Sequence, residues 1–386
     1  MNRIVQLDFL RIFANFARCF IHAAVPYMVT FAPVWSINEQ NGAWFFDFSV
    51  FELYLFVMEL FFVLSGFMFA MQLQKKTLSQ IINDRLRRIL VPFVLGLVVF
   101  VPVIIAFFYL NKLQNYSWLQ AEAMKNAYLG GWLFASNHFF PMGHLWFLYY
   151  LLIFYAFVLA FRFGLPKPFH AIFGLPIKYF IAVAMAASVA AMYAMPRWIV
   201  DSPLGLRPEL PSLVHYFSFF LLGIGIYKAE LWANFMTKNY KLFLGIGIVL
   251  GLVALAPQLY FTKTELSYYF YIKMAAVLSA TSATYFLVMG IWGFFAQIKA
   301  QTSPLVRYLS DASYSIYLTN MPTVMAVQLC LMPLNIGFYL KFIIALVLAF
   351  VLNIGFYHFL GRNNVLKRLG NKLNFPSKKI KKYTND

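Results

Sequence analysis

Residues 7–28 read LDFLRIFANFARCFIHAAVPYM and form the first long apolar segment of the chain. This segment can cross a bilayer as a helix, because about 20 residues span the hydrocarbon core. On such a helix Arg11, Arg18 and His22 lie within about 60° of one another. Each charge near the bilayer centre costs about 2.5–3.5 kcal/mol, so a helix that keeps this polar stripe is expected to face a polar cavity. The stripe is therefore the leading candidate for a functional site.

The composition is that of a polytopic membrane protein. The chain has 386 residues, of which 62% are hydrophobic, 20% aromatic and only 11% charged. A soluble protein is about half apolar and about a quarter charged. Hydropathy and segment length predict an all-α fold with about ten transmembrane helices. The predicted spans are 7–28, 48–72, 89–111, 144–164, 177–195, 212–229, 242–258, 268–295, 311–332 and 338–360.

The distribution of basic residues predicts the orientation in the membrane. A net charge of +18 would suggest nucleic acid in a soluble domain, but the chain has no nucleic-acid-binding motif. With ten spans both termini lie on one side, and most of the 31 basic residues then fall in the loops and tail of that side. Positive residues concentrate in cytoplasmic loops, so both termini are predicted to be cytoplasmic.

The sequence predicts one transmembrane domain, 1–374, and a basic cytoplasmic tail, 375–386. The first segment is not a cleavable signal peptide, because its apolar run is too long and contains two arginines. Cys19 and Cys330 both lie in apolar segments and give neither a disulfide framework nor the ligand spacing of a zinc site. No metal is expected.

Two interpretations are open for His22. If the first span runs outward, His22 lies about 16 Å beyond Arg11, in the outer half of the bilayer. A lone buried histidine can be structural, with a hydrogen bond to a neighbouring helix. Two arginines on the same stripe favour a functional role for His22.

The second span carries two carboxylates, Glu52 and Glu59, which are seven residues apart and therefore on one face. Their expected depths match those of His22 and Arg18, so we predict the pairs His22–Glu52 and Arg18–Glu59. A carboxylate beside an imidazole would orient the ring and raise its basicity, as a general base requires. The alternatives are ion pairs with a purely structural role, or a Glu52 that faces the outer solvent.

The segment RLRRILVP, residues 85–92, places three arginines at the inner end of the third span. A guanidinium binds phosphate through two hydrogen bonds, so Arg85, Arg87 and Arg88 could hold a phosphorylated ligand. The alternative is the ordinary positive charge of a cytoplasmic loop.

Several motifs occur in a definite order along the chain. They are LDFLR at 7–11 with His22 ten residues further on, FFVLSGF at 61–67, the Arg85–Arg88 pair before Pro92, HLWFL at 144–148, FFLLG at 219–223 and YSIYL at 314–318. In this set the chain resembles the acyltransferase-3 family of integral membrane acyltransferases over nearly its whole length. It looks closest to the glucan-biosynthesis branch, which succinylates periplasmic glucans.

The resemblance implies an O-acyltransferase that moves an acetyl or succinyl group from cytoplasmic acyl-CoA to a hydroxyl of an extracytoplasmic carbohydrate or glycan. It implies that Arg11 and His22 form an arginine–histidine pair in the catalytic site and that Arg85 and Arg88 lie near the CoA phosphates. His22 would then be the catalytic base or would itself carry the acyl group. The chain departs from the family at one position, since many members have a histidine where this chain has Asn320.

These arguments give three groups of candidate site residues and one rival function. The rival is a transporter or flippase of a small anionic or lipid-linked solute, which buried charges suit equally well, although no internal repeat is visible. The predicted partners of the enzyme are acyl-CoA, a carbohydrate acceptor, the lipid bilayer and a second copy of the chain in a homodimer. The candidates are His22, Arg11, Glu52 and Glu59 for catalysis, Arg85, Arg87, Arg88, Arg18 and Ser65 for donor binding, and His144, Trp146, Tyr314, Tyr317 and Asn320 for acceptor binding.

Overall fold

The computed structural model describes residues 4–30, 35, 37–39, 41–115, 142–164, 176–195, 202–203, 205–260, 269–299, 301 and 303–361. The predicted tail, 375–386, lies outside these residues. The described chain is helical and forms no strand, so the predicted all-α class is confirmed. Its helices are α1 Val5–Ala24, α2 Trp44–Tyr54, α3 Val57–Lys75, α4 Leu78–Arg85, α5 Val91–Asn115, α6 Trp146–Gly164, α7 Ile177–Tyr193, α8 Leu210–Lys228, α9 Glu230–Tyr260, α10 Tyr269–Ala296, α11 Pro304–Leu331 and α12 Phe338–Phe356.

Seven helical segments of the described chain are long and apolar enough to cross a membrane. This confirms a polytopic membrane protein, whereas the count of ten spans stays a prediction. The three remaining predicted spans are also helical: α7 is apolar but shorter, and α1 and α11 are of span length but more polar. The outer helices α5, α9 and α12 expose apolar side chains such as Val98, Val249 and Val351, as expected of faces in contact with lipid.

Contacts between helices fix their relative directions. Near the beginning of α1 Asp8 meets Ser310, and near its end His22 meets Asn320, so α1 and α11 run parallel. Helix α12 runs antiparallel to α11, because His358, just after the end of α12, hydrogen-bonds Tyr308 near the beginning of α11. The beginning of α1 and the end of α12 therefore lie at the same end of the bundle, as a chain with an even number of crossings requires.

The motifs FFVLSGF and FFLLG form the crossing point of α3 and α8. A Cβ atom on Gly66 would lie 2.0 Å from the carbonyl oxygen of Phe220, and one on Gly223 would lie 2.0 Å from that of Val63. Each glycine therefore brings its own backbone against the backbone of the other helix. The two helices run parallel through this contact, since Phe62 meets Tyr216 and Phe67 meets Tyr227.

Helix α1 lies among α2, α3, α10, α11 and α12. Its polar residues Asp8, Asn15 and Arg18 are buried. Because a low-dielectric interior penalises unpaired polar groups, the neighbours of α1 must supply partners for them. The position of α1 therefore places the polar stripe at the centre of the bundle.

We expect Gly66→Ala to destabilise the protein by at least about 1–3 kcal/mol, because the added methyl overlaps backbone that cannot move independently. Gly245→Ala is the matched control, since nothing lies within 4 Å of its Cβ position, and it should be neutral or slightly stabilising. Thermal unfolding of both variants in detergent measures the difference. Equal midpoints would contradict the close α3–α8 contact.

Candidate active site

The inner end of the polar stripe is built around Asp8. Its carboxylate is buried, with 1% exposure, and accepts a 2.7 Å hydrogen bond from the Ser310 hydroxyl. Arg11 Nη1 lies 3.7 Å from the same carboxylate oxygen. Since Arg11 and His22 are eleven residues apart on one straight helix, about 16 Å separates their backbone positions. The predicted catalytic pair is thus two separate sites on one stripe, and Arg11 belongs to the inner one.

His22 begins a row of side-chain hydrogen bonds that crosses from α1 to α11 and α12. Asn320 Nδ2 donates to His22 Nδ1 at 3.0 Å, and Asn353 Nδ2 donates to Asn320 Oδ1 at 3.3 Å. The Thr319 hydroxyl completes the row by donating to Asn353 Oδ1 at 2.7 Å. Asn320 and Asn353 are both fully buried. We call these three residues, Asn320, Asn353 and Thr319, the amide relay.

The direction of the amide relay determines which ring nitrogen of His22 carries the proton. In the observed arrangement Nδ1 accepts a hydrogen bond, so a neutral His22 carries its proton on Nε2. Rotation of both amide groups by 180° would reverse every bond and leave Nε2 with the lone pair. His22 itself is only partly buried, and it is the accessible end of the row.

A tryptophan and a glutamine hold the end of α1 that carries His22. The Trp35 ring lies 5.4 Å from the His22 ring, centroid to centroid, and its Nε1 donates to Gln328 Oε1 at 3.0 Å. Gln328 Nε2 donates to the His22 carbonyl oxygen at 3.0 Å, so it satisfies a carbonyl of the last helical turn. Sequence reasoning missed Trp35, Gln328 and Asn353. The usable signal for Gln328 and Asn353 was a polar amide inside an apolar helix.

Arg18 donates a hydrogen bond to the backbone carbonyl of His144 and stacks on the ring of Tyr317. Its guanidinium carbon lies 4.2 Å from the centre of the Tyr317 ring, and Nη2 donates to the His144 carbonyl oxygen at 3.4 Å. The Tyr317 hydroxyl donates to the same carbonyl at 2.7 Å. Arg18 is 4% exposed, and its Nη1 has no hydrogen-bond partner among the described residues. Two of the predicted site residues, Tyr317 and His144, thus meet at Arg18.

Local backbone chemistry fixes the side chain of His144. Pro322 has no N–H, so the Leu318 carbonyl one turn earlier in α11 is left without its helical donor. His144 Nε2 donates to that carbonyl at 2.9 Å. Gly143 makes the preceding turn at φ 54°, in the left-handed region that favours glycine. Pro322 thus leaves free the carbonyl that accepts from His144.

The predicted pairs His22–Glu52 and Arg18–Glu59 are wrong. Glu59 Oε1 lies 3.1 Å from His215 Nε2, and both side chains are buried in the α3–α8 contact. Glu52 lies against Gly251 of α9, where a Cβ would approach Oε1 to 2.4 Å. The reason is the rotation of α3: Glu59 is on the face that carries Gly66, and that face is turned to α8. The structure therefore gives neither carboxylate a contact with the polar stripe.

The three inner arginines lie on a π-helical turn, Leu86–Leu90. Pro92 removes the regular helical bond to Arg88, and the wider turn is closed instead by a bond from the Val91 N–H to the Leu86 carbonyl. Arg85 donates to Gln72 Oε1 at 2.6 Å and lies 4.3 Å from the centre of the Tyr155 ring. The Nε atoms of Arg85 and Arg87 have no hydrogen-bond partner among the described residues.

The remaining candidates divide between the core and accessible space. Trp146 is 3% exposed and packs on Phe62 and Tyr216, so its side chain is part of the core. Ser65 is partly buried on α3, near the Tyr155 hydroxyl. Tyr314 stacks on Tyr317 and is 38% exposed.

Replacing one partner of the buried Glu59–His215 pair should leave the other polar side chain buried without its hydrogen-bond partner. We expect His215→Leu to cost about 3–5 kcal/mol of stability, and Glu59→Leu with His215→Leu to cost less than the sum of the single changes. His358→Leu, at an exposed histidine, should be near neutral. Thermal unfolding in detergent gives the cycle, and additive effects would contradict the pairing.

Comparisons with known proteins identify the family. No curated protein and no solved structure matches the chain. Over the described residues no group of three or more histidine, cysteine or acidic side chains could hold a metal ion. The model of the acyltransferase-3 family, described as an acyltransferase domain, matches residues 4–358, nearly the whole chain. The chain is therefore a membrane acyltransferase that belongs to the acyltransferase-3 family.

Proposed function

We propose that this enzyme transfers an acyl group from acyl-CoA on the cytoplasmic side to a hydroxyl of a carbohydrate on the outer side. The observation that carries the proposal is the polar stripe of α1, which joins a charged inner site at Asp8 and Arg11 to an accessible histidine at the other end. A donor on one side and an acceptor on the other need such a route through the bilayer. An apolar helix would have served if α1 were only structural.

The donor site lies at the inner arginines. Arg87 has an unused Nε donor and Arg88 is exposed, so the π-helical turn presents guanidinium groups that can bind phosphates. The pantetheine arm of the donor then follows the polar stripe toward His22. Arg18, whose Nη1 is unused, polarises the thioester carbonyl or holds a negative charge on the acyl group.

His22 acts at the reacting carbonyl, either as the base that deprotonates the acceptor hydroxyl or as a carrier of the acyl group. Tyr314 is exposed beside Tyr317, and Asn320 holds the imidazole of His22, so the acceptor is proposed to bind next to these two residues. The proposed acyl group is acetyl or succinyl, and the proposed acceptor is a periplasmic glucan, in a bacterial inner membrane with both termini in the cytoplasm. A homodimer remains part of the proposal.

His22→Ala should abolish transfer while the protein still folds, because the reacting group is removed from an otherwise hydrogen-bonded site. Membranes are supplied with acetyl-CoA or succinyl-CoA labelled in the acyl group, and mass spectrometry of glycans and lipids identifies the acylated product. His358→Ala, at an exposed histidine, is the control and should retain full activity. Full transfer by His22→Ala would refute the proposal, and solute movement without transfer of the label would favour a transporter.

Arg87→Ala should raise KM for acyl-CoA by about 10- to 100-fold, the effect of losing one charged hydrogen bond worth about 1.5–3 kcal/mol. If the arginine binds the 3′-phosphate, the wild type should prefer acyl-CoA to acyl-dephospho-CoA, and the variant should lose that preference. Lys238→Ala removes an exposed positive charge elsewhere and should leave both values unchanged. Equal KM changes in the two variants would indicate general loop charge instead of a phosphate site.

A further inference from the structure

His144 has a proton arrangement that its backbone contact fixes. Its Nε2 lies 2.9 Å from the Leu318 carbonyl oxygen, which can only accept. Nε2 therefore carries a hydrogen, and a neutral His144 has its lone pair on Nδ1. That Nδ1 atom is buried and has no hydrogen-bond partner among the described residues. Unlike an amide, a backbone carbonyl cannot rotate to reverse the bond.

Arg18 determines the charge of His144 at rest. The guanidinium donates to the carbonyl of His144 itself, so a second positive charge on the ring would lie close to the first in a medium of low dielectric constant. His144 is therefore neutral before reaction. Arg18 Nη1 is an unused donor and His144 Nδ1 an unused acceptor, and both belong to side chains more than nine-tenths buried. A single hydroxyl group that reached both atoms would satisfy both, since it would accept from Arg18 Nη1 through its oxygen and donate to His144 Nδ1 through its hydrogen.

His22 presents the opposite proton arrangement. Its Nδ1 is occupied by Asn320, so its Nε2 carries the hydrogen and can only donate. The two histidines attach to the same part of α11, at Leu318 and Asn320, within one helical turn. In the resting state one histidine is thus ready to accept a proton and the other is ready to donate a hydrogen bond.

We propose that His144 is the base of the acyl transfer, an assignment that rests on the proposed function and removes the base role from His22 in the resting state. His144 Nδ1 takes the proton of the acceptor hydroxyl while the oxygen of that hydroxyl attacks the thioester carbonyl. His22 Nε2–H and Arg18 Nη1 stabilise the negative charge that develops on the carbonyl oxygen. The C–S bond then breaks, the CoA thiolate leaves and takes the proton from His144, and the ester product is released.

The test is His144→Gln in the full-length protein, with acetyl-CoA and succinyl-CoA as donors and a linear β-glucan oligosaccharide as acceptor probe. The glutamine amide can still donate to the Leu318 carbonyl, but it has no basic nitrogen. We expect kcat to fall by about 10²- to 10⁴-fold with little change in KM for the donor. His358→Gln makes the same substitution at an exposed histidine and should keep full activity.

If His144→Gln kept kcat within a few-fold of the wild-type value, the assignment would be overturned. The variant keeps the hydrogen bond to the Leu318 carbonyl but has no basic nitrogen, so an unchanged kcat would mean that no base is needed there. A lower kcat that comes with a lower unfolding temperature and a raised KM would also overturn it. NMR of protein with ¹⁵N-labelled histidine gives a second measurement. The ring-nitrogen signals that are present in the wild type and missing in His144→Gln belong to His144. They should show an Nδ1 without a hydrogen, and a protonated Nδ1 would refute the assignment. Absence of transfer by the wild type with either donor would refute the proposed function itself.

Discussion

The hydrogen bonding between α1 and α11 is the interaction on which the rest of the structure depends. A helix with a buried aspartate, a buried arginine and a histidine can lie inside a membrane protein only where its neighbours satisfy those groups. Helix α11 does so at three levels, with Ser310 at Asp8, Tyr317 at Arg18 and Asn320 at His22. These three contacts follow the same order along both helices, so the two helices run parallel. The direction of α11, and through it of α12, follows from the polar residues of α1.

Two prolines contribute to the site through the hydrogen bonds that they remove. Pro322 frees the Leu318 carbonyl, and that carbonyl fixes the proton of His144. Pro92 prevents a regular turn, and the resulting π-turn carries Arg87 and Arg88. In a membrane a freed backbone group must find another partner, so a proline in an apolar helix also marks the place where a side chain from another segment can bind.

The sequence supported strong predictions along each helix and weak ones between helices. The all-α class, the helical spans and the polar stripe followed from apolar run length and from the periodicity of one helix, which are local properties. The depth of Glu59 was also a local property, but its partner depended on the rotation of α3. That rotation is set by the Gly66–Gly223 contact, and the glycines were visible in the sequence although their pairing was not.

The family resemblance leads one to expect a histidine where this chain has Asn320, and the structure shows what the amide does there: it donates to His22 and accepts from Asn353. The Thr319 hydroxyl has one hydrogen and two acceptors within reach, Asn353 Oδ1 at 2.7 Å and the Ser315 carbonyl oxygen at 3.0 Å. When it donates to Asn353, the amide relay donates to His22; when it donates to Ser315, both amides can rotate and the relay accepts from His22 instead. In this exchange the oxygen and nitrogen of each amide change places. With the relay reversed, a neutral His22 carries its hydrogen on Nδ1, so it can accept at Nε2 once Nε2 has given up a proton and Nδ1 has taken one, with no net change of charge. An amide at this position thus keeps both chemical roles of His22 accessible within one packed arrangement.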